Sequence, residues 1–167
     1  MNSKLYPCMR VGSVYELTPE WLKSRGFRAV ICDLDDTLTP YYDTNPNPGL
    51  VKWLNSLNNA GILVYILSNW KKKRIAPLCK KFGIEFATMA MKPLPFAFNR
   101  AIRKLGVNKN EVVAIGDQIF TDIVGGNLAG IHTILVEPIA YKPGKGERLK
   151  RKLEKPYRCA KPLKNMV

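Results

Sequence analysis

Histidine is nearly missing from this chain. His132 is the single copy in 167 residues. It opens a predicted strand and reads as structural rather than chemical. The four cysteines, Cys8, Cys32, Cys79 and Cys159, form no CxxC pair. Cys32 and Cys79 fall in apolar patterns, so reduced thiols are expected rather than a disulfide framework. The first twelve residues hold no apolar run long enough for a signal peptide, and no stretch could span a bilayer. Internal repeats and low-complexity linkers are absent too. These absences argue against a secreted, disulfide-stapled domain and against a membrane-spanning one. A cytoplasmic protein is expected, with peripheral contact at a membrane surface left open.

Acidic residues are also scarce, 13 against 27 lysines and arginines, for a net charge of +14. The excess is uneven. Residues 1–28 and residues 29–140 each carry +3, whereas residues 141–167 carry +8. Such a field favours an anionic partner, whether nucleic acid, an acidic lipid surface or a phosphorylated substrate. A merely solvated tail explains it equally well. The chain divides accordingly into an N-terminal segment (1–28), a core (29–140) and a basic tail (141–167).

What is present is a regular alternation of elements. Apolar runs predict strands at Ala29–Cys32, Ile62–Leu67, Phe86–Met89, Val112–Ile115 and Thr133–Val136. Between them, apolar residues recur at helical spacing: Leu50, Trp53, Leu54 and Leu57; Ile75, Leu78, Cys79 and Phe82; Phe98, Ala101, Ile102 and Leu105. Pro77 leaves the start of the second helix open. A short helix is expected before Thr133 and another within Glu147–Lys155. Strands alternating with helices predict an α/β fold, a parallel sheet covered on both faces. In such sheets ligands gather at the carboxyl ends of the strands.

The polar residues cluster at those ends. "VICDLDDTLTP" places Asp33, Asp35 and Asp36 straight after a buried strand. Two carboxylates at i and i+2 suit a hard, oxygen-seeking cation such as Mg²⁺. A calcium-binding EF-hand would need Gly and Glu where Leu38 and Thr44 stand, so that loop is excluded. "LSN" adds Ser68 and Asn69, "MKP" adds Lys92, and "GDQIFTD" adds Asp117 and Asp122. Carboxylates, a hydroxyl, a cation and a metal site are the parts of phosphoryl transfer, where positioning and charge neutralisation supply most of the catalysis.

The order DxDxT, LSN, KP and GDxxxxD resembles the haloacid dehalogenase (HAD) superfamily of aspartate-nucleophile phosphatases. "GDQIFTDIVGGNLAGIHTILVEPI" is most similar to the YqeG-type members of subfamily IIIA, which include phosphatidylglycerophosphate phosphatases. The resemblance implies a Rossmann-like three-layer sandwich and roles for single residues. Asp33 would be the nucleophile and a metal ligand. Asp35 would be the acid and base, its carbonyl touching the metal. Asp117 would complete the Mg²⁺ shell, and Asp122 would orient Lys92 or a water on the metal. Ser68, Lys92 and Asn69 would hold the phosphoryl group, with Thr37 bracing the loop. Asp36 has no role in that family and reads as a turn residue.

Thirty residues separate Thr37 from Ser68 and 23 separate Ser68 from Lys92, all claimed by core elements. No room remains for a cap domain. An open site suits a bulky substrate, and the resemblance implies that this substrate is phosphatidylglycerophosphate, met at an anionic membrane, with phosphatidylglycerol the product. A nucleic-acid end or a phosphoprotein is the alternative substrate, and an RNA- or ribosome-associated binding protein the alternative class. Trp53 reads as core. Trp70 fits substrate contact or packing equally. "KKKR" at Lys71–Arg74 fits either anionic contact or a solvated helix start. The stretch from Leu5 to Trp21 is apolar enough either to lie on a bilayer or to pack on the core.

Overall fold

The computed structural model describes residues 3–41, 45–70, 72–140 and 145–158. Among them, six strands form one parallel sheet: β1 (Met9–Val11), β2 (Ala29–Cys32), β3 (Leu63–Leu67), β4 (Glu85–Ala87), β5 (Val112–Gly116) and β6 (His132–Val136). Their order across the sheet is β1-β6-β5-β2-β3-β4. β2 sits between β5 and β3, with Cys32 level with Ile115 on one side and Ile66 on the other.

Side chains on a strand alternate faces, and β2 shows what that produces. Val30 and Cys32 enter one core, with α1 (Pro19–Ser24), α2 (Pro48–Asn59) and α3 (Lys72–Phe82) packed over it. Ala29 and Ile31 enter the other, beneath α4 (Pro95–Leu105) and α5 (Val124–Ala129). The result is the expected three-layer α/β sandwich. Each fully buried Leu or Ile in it, such as Leu57 or Ile31, contributes about 1.5–3 kcal/mol of transfer free energy. The layers approach closely where α5 crosses β6: a Cβ on Gly126 would lie 2.6 Å from Thr133 Cγ2.

Local signals explain the helix starts. Asn47 caps α2 by accepting from Leu50 N at 2.8 Å, with Pro48 in the first turn. Pro77 does not break α3, which runs on through it to Phe82. The segment expected at Phe86–Met89 is strand only over Glu85–Ala87, because Met89 takes a left-handed backbone that leaves the ladder. "ILVYIL" is not buried throughout: Ile62 and Tyr65–Leu67 are buried, whereas Val64 is only half-buried. Leu63 is exposed, bordering an open hollow with Val64, Leu54 and Asn58. The helix expected before Thr133 is a π-turn, Ile119–Ile123, continued by α5.

Among the described residues, segments toward both ends of the chain join the core. β1 pairs with β6, Met9 against Ile134 and Val11 against Val136. Val14, Leu17 and Leu22 are buried, and Trp53 Nε1 donates to Leu17 O at 2.9 Å. The Leu5–Trp21 stretch therefore packs on the core and does not offer an apolar face to a bilayer. The tail forms α6 (Lys145–Arg158), longer than the Glu147–Lys155 helix expected. Tyr157 of α6 meets Tyr6 and Phe120 edge-on, at ring separations of 5.6 and 6.2 Å. No described helix is long and apolar enough to cross a membrane. Lys71 and the side chains of Lys72–Arg74 lie outside the described residues, so the "KKKR" reading has no structural counterpart; Cys159 is likewise outside.

Candidate active site

Parallel strands bring their carboxyl ends to one edge, and four loops converge there. Asp33 follows β2 and is held by its own N–H, which donates to Ile115 O at 2.9 Å. Ser68 follows β3 and is fully buried; its hydroxyl accepts from Trp70 N at 3.1 Å. Lys92 comes soon after β4. Asn69 fixes its backbone with a reciprocal pair: Lys92 N donates to Asn69 Oδ1 at 2.8 Å, and Asn69 Nδ2 donates to Lys92 O at 3.2 Å. The Lys92–Pro93 bond is cis. Asp117 follows β5, and Asp122 lies one turn later in the π-turn.

The buried Lys92 ammonium bridges two carboxylates, 2.7 Å from Asp33 Oδ1 and 2.7 Å from Asp122 Oδ1. Asp122 Oδ2 accepts from Gln118 N at 3.1 Å. Thr37, next to the first aspartates, donates to Asp117 Oδ1 at 3.3 Å. Asp36 takes a left-handed backbone and holds the turn, accepting from Tyr41 N at 3.1 Å. The site residues named from the sequence thus converge at one edge, whereas His132 stands at the opposite end of its strand, edge-on to Phe27.

The electrostatics are unbalanced. Lys92 is held protonated: burial works against its charge, but Asp122 and Asp33 outweigh it and push its pKa up. Asp33 is pushed well above the ordinary 3.8 by burial, with Asp122 and Asp117 adding and Lys92 opposing. Burial also lifts Asp117 to about 6, although Arg151 of α6 opposes it. One carboxylate oxygen each from Asp33, Asp117 and Asp122 lies within 4.8 Å of the others. Three buried carboxylates meet two cations, Lys92 between Asp33 and Asp122 and Arg151 on Asp117, so negative charge remains that favours a further cation, and an all-oxygen donor set fits a hard divalent metal.

A cleft of about 290 Å³ opens onto this cluster, lined by Asp33, Asp35, Asn69, Trp70, Lys92, Gln118, Thr121 and Lys150. Larger hollows of about 490 and 680 Å³ lie elsewhere and include none of the clustered aspartates. Trp70 is half exposed on the cleft wall, its ring 5.2 Å from that of Tyr41. Three contributions were not legible in the sequence. Arg151 pairs with the Asp117 carboxylate and donates to its carbonyl, Arg158 donates to the same carbonyl at 2.6 Å, and Lys150 donates to Gln118 Oε1. All come from the tail, where charge alone gave no sign of which cations turn inward.

Comparison with known proteins identifies the class. A family model described as HAD-hydrolase-like matches residues 89–165. The chain is 41% identical over 145 residues to "Probable phosphatase YqeG" of Bacillus subtilis (strain 168), covering 87% of this chain and 84% of that protein. The chain belongs to the HAD-like phosphatases, in the YqeG family. It is accordingly a phosphoric monoester hydrolase. It is also 29% identical over 133 residues to Phosphatidylglycerophosphate phosphatase 1, chloroplastic/mitochondrial, of Arabidopsis thaliana, over 72% of this chain but 37% of that protein. Among solved structures, the 3-deoxy-D-manno-octulosonate 8-phosphate phosphatase of Yersinia pestis aligns with a TM-score of 0.56 at 19% identity, over 72% of this chain and 68% of that one. The cobalt-bound form of the Haemophilus influenzae enzyme aligns at 0.53 and 23%, over 68% and 70%. At that identity the likeness concerns the fold, a HAD-like sandwich without a cap among the described residues.

Proposed function

We infer that this phosphatase is Mg²⁺-dependent, works through an aspartyl-phosphate on Asp33, and hydrolyses phosphatidylglycerophosphate to phosphatidylglycerol. The observation that carries the mechanism is Asp33 at the head of the cleft, 2.7 Å from Lys92 and within the three-aspartate cluster. Asp33, Asp117 and Asp122, with the Asp35 carbonyl, are the groups that would hold the cation. When bound, Mg²⁺ supplies positive charge that keeps Asp33 ionised and offsets the charge of the phosphoryl group.

The chain's own residues do the rest. An Asp33 carboxylate oxygen forms a bond to phosphorus as the bond to the leaving alkoxide breaks. Asp35, two residues on and lining the same cleft, gives that alkoxide its proton. Asp35 then takes a proton from water as the water oxygen attacks phosphorus, releasing inorganic phosphate and restoring Asp33. Asn69 and Lys92 line the cleft and, with the Ser68 hydroxyl just before them, would hold the phosphoryl oxygens, Lys92 neutralising their charge. Asp122 keeps Lys92 aimed. A covalent intermediate divides one hard displacement into two easier ones.

The lipid substrate is supported by the similarity to the Arabidopsis enzyme and by the open, capless cleft, which a bulky amphiphile can cover. An enzyme of the cytoplasm working at the membrane surface follows from that reading. The test uses purified full-length protein. Activity on an aryl phosphate should vanish with chelator and return with Mg²⁺. Detergent-dispersed phosphatidylglycerophosphate should be preferred over soluble phosphomonoesters, oligonucleotide 5′-phosphates and phosphopeptides. Full activity in chelator removes the metal, and a strong preference for a nucleotide or phosphopeptide removes the lipid.

A further inference from the structure

The helix α6 is inside out. In a water-facing helix the apolar stripe is buried and the charges are exposed. Here Glu154 is 0% exposed, accepting from Phe120 N at 3.1 Å, and Arg151 and Arg158 turn in toward Asp117. Outward, one turn apart, stand Leu149 and Leu153 at 61% and 57% exposure, with Lys152 and Lys155 exposed beside them. Lys150 of the same helix lines the catalytic cleft.

The opposite lip of the cleft repeats the pattern. Trp70 lines it, half exposed beside Tyr41, and Met89 N donates to Trp70 O at 3.3 Å. Met89 and Met91 are 60% and 57% exposed, and both take left-handed backbones (φ +51° and +52°). A side-chain-bearing residue holds that conformation only where its surroundings enforce it. Between them and just after, Ala90 and Lys92 turn inward, Lys92 to the catalytic aspartates. Apolar side chains thus project from both segments that border the cleft, with Lys152 and Lys155 exposed beside the leucines.

We propose that this rim is a membrane-docking surface. Met89 and Met91 on one lip, and Leu149 and Leu153 on the other, enter an anionic bilayer, while Lys152 and Lys155 meet its headgroups. The choice of partner follows from the chemistry. Apolar side chains interleaved with lysines match an interface whose surface is anionic and whose interior is hydrocarbon. Tyr and Trp suit the boundary between the two. An RNA partner leaves the methionines and leucines unexplained. The proposal deepens the lipid reading above, naming the face through which the headgroup phosphate reaches Asp33.

The test compares full-length wild type with Met89→Ser/Met91→Ser, Leu149→Ser/Leu153→Ser and Lys152→Glu/Lys155→Glu. Vesicles are phosphatidylglycerol-rich or pure phosphatidylcholine, and binding is read by co-sedimentation at low and high salt. Wild type should prefer the anionic vesicles and weaken with salt. Each double variant should bind roughly tenfold less tightly. The methionine and leucine variants should keep the wild-type rate on a soluble aryl phosphate. Wild type that ignores anionic vesicles, or variants that bind like wild type, overturn the proposal. So does a shift from dimer to monomer in the methionine or leucine variants without loss of vesicle binding, which makes the face a self-association surface. Hydrolysis of detergent-dispersed lipid without vesicle binding refutes docking alone, and vesicle binding without lipid hydrolysis refutes the substrate alone.

Discussion

Gly116→Ala tests the geometry of the site through a residue that carries no chemistry. Gly116 ends β5, one residue before Asp117. A Cβ there would lie 2.4 Å from the Cβ, Cγ and Oδ2 atoms of Asp122. Carbon atoms in contact settle at about 3.5–4.0 Å, so one side must yield by roughly 1 Å. The strand is held by ladders on both sides, so Asp122 is the part that moves. It can move only by loosening its 2.7 Å bond from Lys92 and its 3.1 Å bond from Gln118 N. A displacement of that size costs on the order of 10²-fold in rate. Overpacking costs about 1–3 kcal/mol, or a fall in Tm of roughly 2–12 °C for a chain of this length. The assays are kcat/KM on an aryl phosphate and thermal unfolding in Mg²⁺. A cycle with Asp122→Gly isolates the cause, since the added methyl should cost little stability once Asp122's side chain is gone. Wild-type rate and Tm in Gly116→Ala would refute the placement of Asp122. An undiminished stability loss in the Asp122→Gly background would refute the clash as its source.

Other outcomes follow from the same cluster. Asp33→Asn should lower turnover by roughly three orders of magnitude or more, while unfolding in chelator stays as cooperative as in wild type, because the charge removed is a buried, disfavoured one; wild-type turnover would move the nucleophile elsewhere. Lys92→Met should lose about 3–5 kcal/mol in denaturant titrations without metal, since Asp33 and Asp122 then stand buried with no lysine between them; a neutral effect would contradict the bridge. Asp117 gives a pH dependence. Burial raises its carboxyl from 3.8 to about 6, so the folded chain binds that proton more tightly than the unfolded one. The resulting penalty on the folded state is absent below about pH 4 and complete above about pH 6. In chelator, Asp117→Asn should therefore gain on wild type, by on the order of 2 kcal/mol, as pH rises from about 4 to about 7; a flat or falling difference in unfolding free energy would reverse the sign of the argument.

Most of the fold could be read because buried parallel strands are written as apolar runs and their helices as apolar faces at helical spacing. β2 and β5 are buried at every position, and Leu50, Trp53, Leu54 and Leu57 all face inward from α2. The site was readable for a related reason. Asp33, Ser68, Lys92 and Asp117 stand just after strands, where a soluble core gives no reason to cluster charge. β1 was not readable. It is three residues long, Met-Arg-Val, half-buried at the sheet edge, and its partner β6 lies 125 residues along the chain, Met9 against Ile134. Pro77 misled in the other direction, marking doubt in a helix that continues through it.

The tail's helix was readable, but its buried face was not, for a deeper physical reason. Periodicity locates a buried face by its apolar residues, and α6 buries the other one. Leu149 and Leu153, one turn apart, would be assigned to the core, yet both are exposed, and the fully buried member is Glu154. Glu154 can be buried because it is paired: Arg151 Nη1 lies 3.4 Å and Arg158 Nη1 3.8 Å from its Oε2, and Phe120 N supplies a further donor at 3.1 Å. A buried charge so surrounded avoids most of the desolvation penalty that would otherwise expel it. The helix is thus anchored by ion pairs and by Tyr157, which leaves its leucines no inward role. The +8 of residues 141–167 is consequently not one field. Arg151 and Arg158 serve Asp117 and Glu154, Lys150 serves the cleft, and Lys152 and Lys155 face out beside the leucines. On the docking proposal, a helix that borders the cleft through Lys150, is held by its charges and exposes its leucines would make the site open to an interface rather than simply open to water.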